Sequence, residues 1–189
     1  MLRHLIAGVL VPAFVALTAV PDSRPEARLH AAFSGHWTGT LRYRDYQDST
    51  RFVTLPTDLD AVLPGDSSFV RLDFTYDDGP GKVVREHDRL KLAAGGRTLQ
   101  WGSDTASAPA EYVVTTSSNL ERGMPIHLVL ERDGEDDNRP ARFRETVTLS
   151  SNELRIRKEV RFAGATDFLF RHEYVFRRTA TPSTGRASH

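Results

Sequence analysis

The stretch that decides the fold is Phe33-Ser34-Gly35-His36-Trp37-Thr38-Gly39-Thr40-Leu41-Arg42-Tyr43. Its side chains alternate with period two, placing Trp37, Gly39, Leu41 and Tyr43 on one face and His36, Thr38, Thr40 and Arg42 on the other, as a half-buried strand requires. The face that carries Trp37 is read as the inner one. A companion lies at the far end of the chain, where Phe168, Phe170, His172, Tyr174 and Phe176 alternate within Phe168–Arg178.

Between these two stretches the same pattern recurs. Val53, Leu55, Thr57 and Leu59 form one apolar face, with Pro56 pointing to a sheet edge or a bulge. Val70, Leu72, Phe74 and Tyr76 form another, closed by Asp77-Asp78-Gly79-Pro80-Gly81. Val84, Glu86, Asp88, Leu90 and Leu92 follow on one face. Gly95-Gly96 leads into Leu99-Gln100-Trp101, a long polar loop over 102–110 precedes Tyr112, and Ser117–Gly123 is a further polar connection. Ile126, Leu128 and Leu130 begin a hairpin with its tip expected at Asp133–Pro140, and the return strand carries Phe143, Glu145, Val147 and Leu149. Leu154, Ile156, Lys158, Val160 and Phe162 share the next inner face. About ten strands joined by short loops predict an all-β fold, a single up-and-down antiparallel β-barrel, because closure removes the exposed edges of such a sheet.

Composition narrows the function classes. The 189 residues suit one domain. Lys and Arg number 25 and Asp and Glu 25, so the chain is formally neutral, which argues against nucleic acid as a partner. Cysteine is absent, which excludes thiolate metal sites, Cys nucleophiles and disulfide stabilisation. The N-terminus reads Met1-Leu2-Arg3-His4 and then an apolar run from Leu5 to Val20. A basic start followed by such a run predicts an export signal. A membrane anchor is the weaker reading, since Gly8 and Pro12 interrupt the run and it falls short of the roughly 20 residues of a spanning helix. Residues 1–27 are therefore read as signal peptide and leader, with a short helical turn expected before Phe33, 28–178 as the barrel and 179–189 as a disordered tail. The expected localisation is periplasmic or extracellular, with no stable membrane span after cleavage.

Gly35-His36-Trp37 on the first strand, with a basic residue at the end of the last, resembles the lipocalin-like, or calycin, superfamily. The resemblance implies that Trp37 and Gly35 close the barrel's base and that Arg177 or Arg178 packs across the Trp37 ring. Gly35-x-Trp37-x-Gly39 also resembles the opening of nitrobindin-type haem barrels, although Leu41 stands where that pattern has a third glycine; this likeness implies His172 as a haem ligand. Trp37–Tyr46, Tyr76–Lys82 and Phe170–Tyr174 resemble uncharacterised exported bacterial proteins and imply no activity.

The polar residues predicted to face inward are Glu86, Asp88, Glu145, Lys158, His172 and Tyr174, with Tyr43 and Tyr76 as additions. Unpaired charges are costly to bury, so this set must pair internally or with the head group of a bound molecule. The expectation is a non-catalytic barrel that binds a small hydrophobic or amphipathic molecule in its lumen, with Phe74, Phe143, Phe170 and Phe176 as apolar walls and Lys158, His172 and Tyr174 as polar anchor. No cofactor or metal is expected, and the acidic turns read as solvated. The alternatives are an envelope interaction module with a filled core, and a haem-binding barrel that uses His172.

Overall fold

In the computed structural model the strands close completely. The structure describes residues 24–45, 48, 50–66, 68–103, 109–120 and 122–179, so the run expected to be an export signal and the expected tail beyond Thr179 lie outside the described residues. The elements are α1 (Pro25–Phe33), β1 (Gly35–Arg44), β2 (Phe52–Val62), β3 (Val70–Asp77), β4 (Val83–Leu92), β5 (Thr98–Ser103), β6 (Ala110–Ser118), β7 (Ile126–Asp136), β8 (Arg139–Leu149), β9 (Glu153–Phe162) and β10 (Leu169–Thr179). Each strand pairs antiparallel with its sequence neighbour, and β10 returns to pair with β1, so this is the expected ten-stranded up-and-down barrel. No helix among the described residues is long and apolar enough to cross a membrane.

Closure changes the meaning of Pro56. It pairs opposite Thr40 on β1, whereas the β2–β3 ladder runs only from Thr57 to Val62. Its missing N–H therefore falls just beyond that ladder and removes no bond from it. The strand itself is not an edge strand.

The base is filled and capped. Leu59, Leu72, Leu90, Leu99, Leu128, Leu149, Leu154 and Phe176 are inaccessible to solvent. Helix α1 starts with Pro25, whose fixed φ and missing N–H suit a first helical turn, and buries Leu29 and Phe33 against the barrel. His30 Nε2 accepts a hydrogen bond from the Leu92 N–H at 3.1 Å, which ties the helix to β4. The segment expected as leader and turn thus supplies a nine-residue plug, and the boundary expected between residues 27 and 28 falls inside it.

The opening motif works as a seal. Trp37 is fully buried and its Nε1–H donates to the Phe33 carbonyl at 2.8 Å. The Arg178 guanidinium lies 4.0 Å from the centre of the Trp37 ring, donates to the Ala32 carbonyl at 2.7 Å and the Ser151 carbonyl at 2.9 Å, and also bonds the Ser34 carbonyl. Of the two basic residues expected there, Arg177 does not take part. It points outward to Glu153, 3.2 Å away, because alternate residues of a strand face opposite sides.

Two further departures trace to local geometry. Strands β7 and β8 run to Asp136 and from Arg139, so the hairpin tip is only Asp137-Asn138, both left-handed at φ 53° and 56°. That is the backbone of a tight two-residue hairpin turn, which Asp and Asn tolerate well. On β10, Leu169 pairs with Val160 and Phe170 with Glu159, but His172 pairs with Lys158. The extra residue is a β-bulge, and it reverses the alternation in the residues that precede His172. Phe168 and Phe170 therefore lie on the outer wall, not in the lumen. Phe170 packs edge-on against Phe52, with Arg42 and Arg157 over its ring, while Arg144 and Arg161 lie over Phe168.

Candidate functional site

Above the packed base the inner faces carry polar and aromatic groups, and the lumen opens. Two adjoining cavities of about 330 Å³ each share Glu86, His172 and Tyr174. One, at the mouth, is lined by Leu41, Tyr43, Leu55, Tyr76, Asp78 and Val84 in addition to the shared three. The other reaches across to Phe74, Asp88, Trp101, Tyr112, Arg132, Glu145, Ile156 and Lys158. A larger depression of about 410 Å³ lies at the other end, beside Pro25, Gly95 and Leu120, and includes none of the inward polar residues.

The structure therefore brings together eight of the nine residues expected to bind a ligand: Tyr43, Phe74, Tyr76, Glu86, Glu145, Lys158, His172 and Tyr174. Phe170 is the exception, displaced by the bulge. Of the other expected apolar walls, Phe176 belongs to the packed base and Phe143 is buried beneath Arg132 and Lys158. The lumen is neither wholly open nor wholly filled; its two halves differ.

Three residues escaped the sequence reading. Arg132 continues the inward series Ile126, Leu128, Leu130 by one more step, one residue before the expected hairpin tip. Its guanidinium lies 4.1 Å from the centre of the Phe143 ring and 5.4 Å from that of Tyr112. Trp101 follows Leu99 in the same way, and its Nε1–H donates to Asp88 Oδ2 at 3.0 Å. Tyr112 donates to Glu145 Oε1 at 3.5 Å.

The polar groups form two sets. In the first, Tyr76 donates to Glu86 Oε2 at 3.0 Å, and the Tyr76 and Tyr174 hydroxyl oxygens are 2.9 Å apart. Since Tyr76 has one proton and gives it to Glu86, Tyr174 is the donor to Tyr76. Burial pushes both phenols above the usual tyrosine range, so both stay protonated. The second set is the buried Glu145, with Lys158 Nζ 3.6 Å from its Oε1. Desolvation outweighs the attraction of Lys158 and lifts the Glu145 pKa to about 7. A carboxyl poised there can give or take a proton near neutral pH. Burial likewise raises Asp88, against the opposing hydrogen bond from Trp101.

His172 sits between the sets. Burial, with Lys158 nearby, lowers its pKa to about 3 and keeps the imidazole neutral. Its ring meets Tyr174 edge-on at 5.4 Å. Among the described residues no group of His, Asp and Glu is arranged to hold a metal ion.

A closed ten-stranded barrel, sealed by Trp37 and Arg178 at one end and open to a polar lumen at the other, defines a lipocalin-like fold. Comparison with solved structures agrees. The S-type phycobiliprotein lyase CpeS from Guillardia theta is similar over 81% of this chain and 92% of its own, at 11% identity and a TM-score of 0.53. Rv2717c from M. tuberculosis is similar over 84% of this chain and 99% of its own, at 12% identity and a TM-score of 0.56. At such identities the likeness is one of fold. No protein-family model and no curated protein matches the sequence.

This comparison corrects one expectation. The barrel was read as non-catalytic, yet a chain with the same fold is a lyase. The architecture therefore carries no argument against catalysis, and the chemistry rests on the site residues themselves.

Proposed function

We propose that this chain is an exported barrel that takes up one small amphipathic molecule in the open half of its lumen. The observation that carries this reading is the pair of adjoining cavities that meet at Glu86, His172 and Tyr174. Each is of the size that small-ligand sites occupy, and both combine apolar walls with a few convergent polar groups. The basic start and apolar run over residues 1–20 support export. A filled-core interaction module fits less well, because packing stops at the level of Phe74 and Tyr174.

The test is mass spectrometry of the protein purified under native conditions, followed by calorimetric titration of whatever is released. A stoichiometric small molecule that is lost on Tyr174→Phe or Glu145→Gln substitution supports the reading. A chain that carries nothing and binds no amphipathic probe ends it. Haemin belongs among the probes, since His172 faces both cavities. A Soret shift lost in His172→Ala would identify the molecule as haem, and one that survives removes His172 as its ligand.

A further inference from the structure

The two cavities differ in charge, and the difference says what kind of head group the mouth accepts. In the adjoining cavity cations and carboxyls occur together: Lys158 faces Glu145 at 3.6 Å, Asp88 accepts from Trp101, and Arg132 lies over the Phe143 ring at 4.1 Å, its buried Nε without a hydrogen-bond partner. The mouth is lined by two carboxylates, Asp78 and the shared Glu86, and by no lysine or arginine. Asp78 is ion-paired with Lys82, His172 is neutral, and Glu86 has no ion-pair partner among the described residues, its one hydrogen bond coming from the uncharged Tyr76. Around this carboxylate stand the rings of Tyr43, Tyr76 and Tyr174. Tyrosine faces attract cations through their quadrupole, and a carboxylate set among them adds a counter-charge.

We propose that the mouth recognises an amphipathic organic cation, an amine or quaternary ammonium whose head sits between Glu86 and the tyrosine rings while its tail lies along the aliphatic side chains of β1, β2 and β4. This rests on the mouth cavity being a ligand site. Two features favour a cation over an anion. An anion would meet the Glu86 charge directly, and the cations that could receive it, Lys158 and Arg132, line the adjoining cavity and not the mouth. The hydrogen bond from Tyr76 holds the Glu86 carboxylate over the opening without neutralising it.

The test titrates the purified protein calorimetrically with three probes of one chain length, decyltrimethylammonium, decyl sulfate and decanol, each below its micelle concentration. The expected result is that the cation binds about tenfold tighter than the sulfate, and that Glu86→Gln removes most of this preference, lowering cation affinity several-fold more than decanol affinity. Glu86 is exposed at the mouth and Gln preserves its shape, so this variant is expected to fold. Equal binding of cation and sulfate, or a preference for sulfate, overturns the inference and leaves the ligand-site reading standing. A preference for the cation that survives Glu86→Gln also overturns it. Failure of all three probes to bind overturns the ligand-site reading as well.

Discussion

Arg178 covers Trp37: its guanidinium carbon lies 4.0 Å from the ring centre, and its three nitrogens bond carbonyls of Ala32, Ser34 and Ser151. The contact joins the helix, the first strand, the last strand and the β8–β9 turn. Burial lowers the Arg178 pKa, which is the cost of holding that charge at the seal. Arg178→Ala is expected to destabilise the fold by about 2–4 kcal/mol, because it removes a cation–π contact and leaves three carbonyls without their donor. Arg178→Lys is expected to recover less than half of this, since an ammonium cannot span the three carbonyls. Arg177→Ala, on the exposed outer face, should change stability by less than about 0.5 kcal/mol. Urea unfolding measures all three, and equal losses for Arg177 and Arg178 would contradict the assignment.

Gly39 is needed for strand closure. A Cβ built there would stand 2.0 Å from the Val175 carbonyl oxygen and 2.8 Å from the Phe176 Cα, both backbone atoms of β10 that cannot swing aside. Gly39→Ala is expected to cost about 3 kcal/mol or more by forcing β1 and β10 apart. Thr40→Ala, on the exposed face, serves as the control. The unfolding midpoint decides, and a Gly39→Ala loss no larger than the control's would show that the strands can adjust.

Glu145 and His172 give stability opposite pH dependences. Burial lifts Glu145 from 4.5 to about 7, so the native state keeps a proton that the unfolded chain has released, and stability falls as pH rises through that interval. Burial takes His172 from 6.5 down to about 3. Here the unfolded chain binds the proton, so stability rises with pH until 6.5. Between about pH 4.5 and 6.5 the two slopes oppose each other. Glu145→Gln should expose the rising slope and His172→Gln the falling one, each with a limit of about 1.4 kcal/mol per pH unit. Denaturant titrations across that window test this, and slopes of the same sign in both variants would count against it.

The bulge on β10 separates two neighbouring aromatics in function. Phe170→Ala should leave amphipathic-probe affinity within about twofold while costing about 1–2 kcal/mol of stability, from its packing with Phe52 on the outer wall. Tyr174→Phe should do the reverse. It removes the proton donated to Tyr76 and is expected to weaken probe binding about five- to tenfold with little loss of stability. Calorimetry on the two variants distinguishes the faces, and a binding loss for Phe170→Ala would place that ring back inside.

Much of the fold and most of the site are legible in the sequence, because a strand's period of two converts directly into inside and outside. Trp37, Leu41 and Tyr43 on β1, Phe74 and Tyr76 on β3, and Glu145 on β8 all follow from alternation alone. That signal fails where one residue is inserted. Nothing in Phe168–His172 announces that Arg171 is extra, so Phe170 reads as inward until pairing with β9 shows Glu159 opposite it. Arg132 falls in step with Ile126, Leu128 and Leu130, but a charged side chain at the end of an apolar series carries no sign of burial until the closed barrel sets its guanidinium over Phe143.

By itself, then, the sequence determined a neutral, cysteine-free chain of alternating strands with an aromatic opening motif and polar residues directed at a lumen. Tertiary structure alone decided which basic residue seals the base, that helix α1 plugs it, and that the lumen is packed below and open above. The physical reason is that alternation is local, whereas register, bulges and cavity volume depend on how ten strands of unequal length meet when the sheet closes. Glu86 and Glu145 look alike along the chain. Only the closed barrel leaves one exposed at the mouth and the other buried beside Lys158.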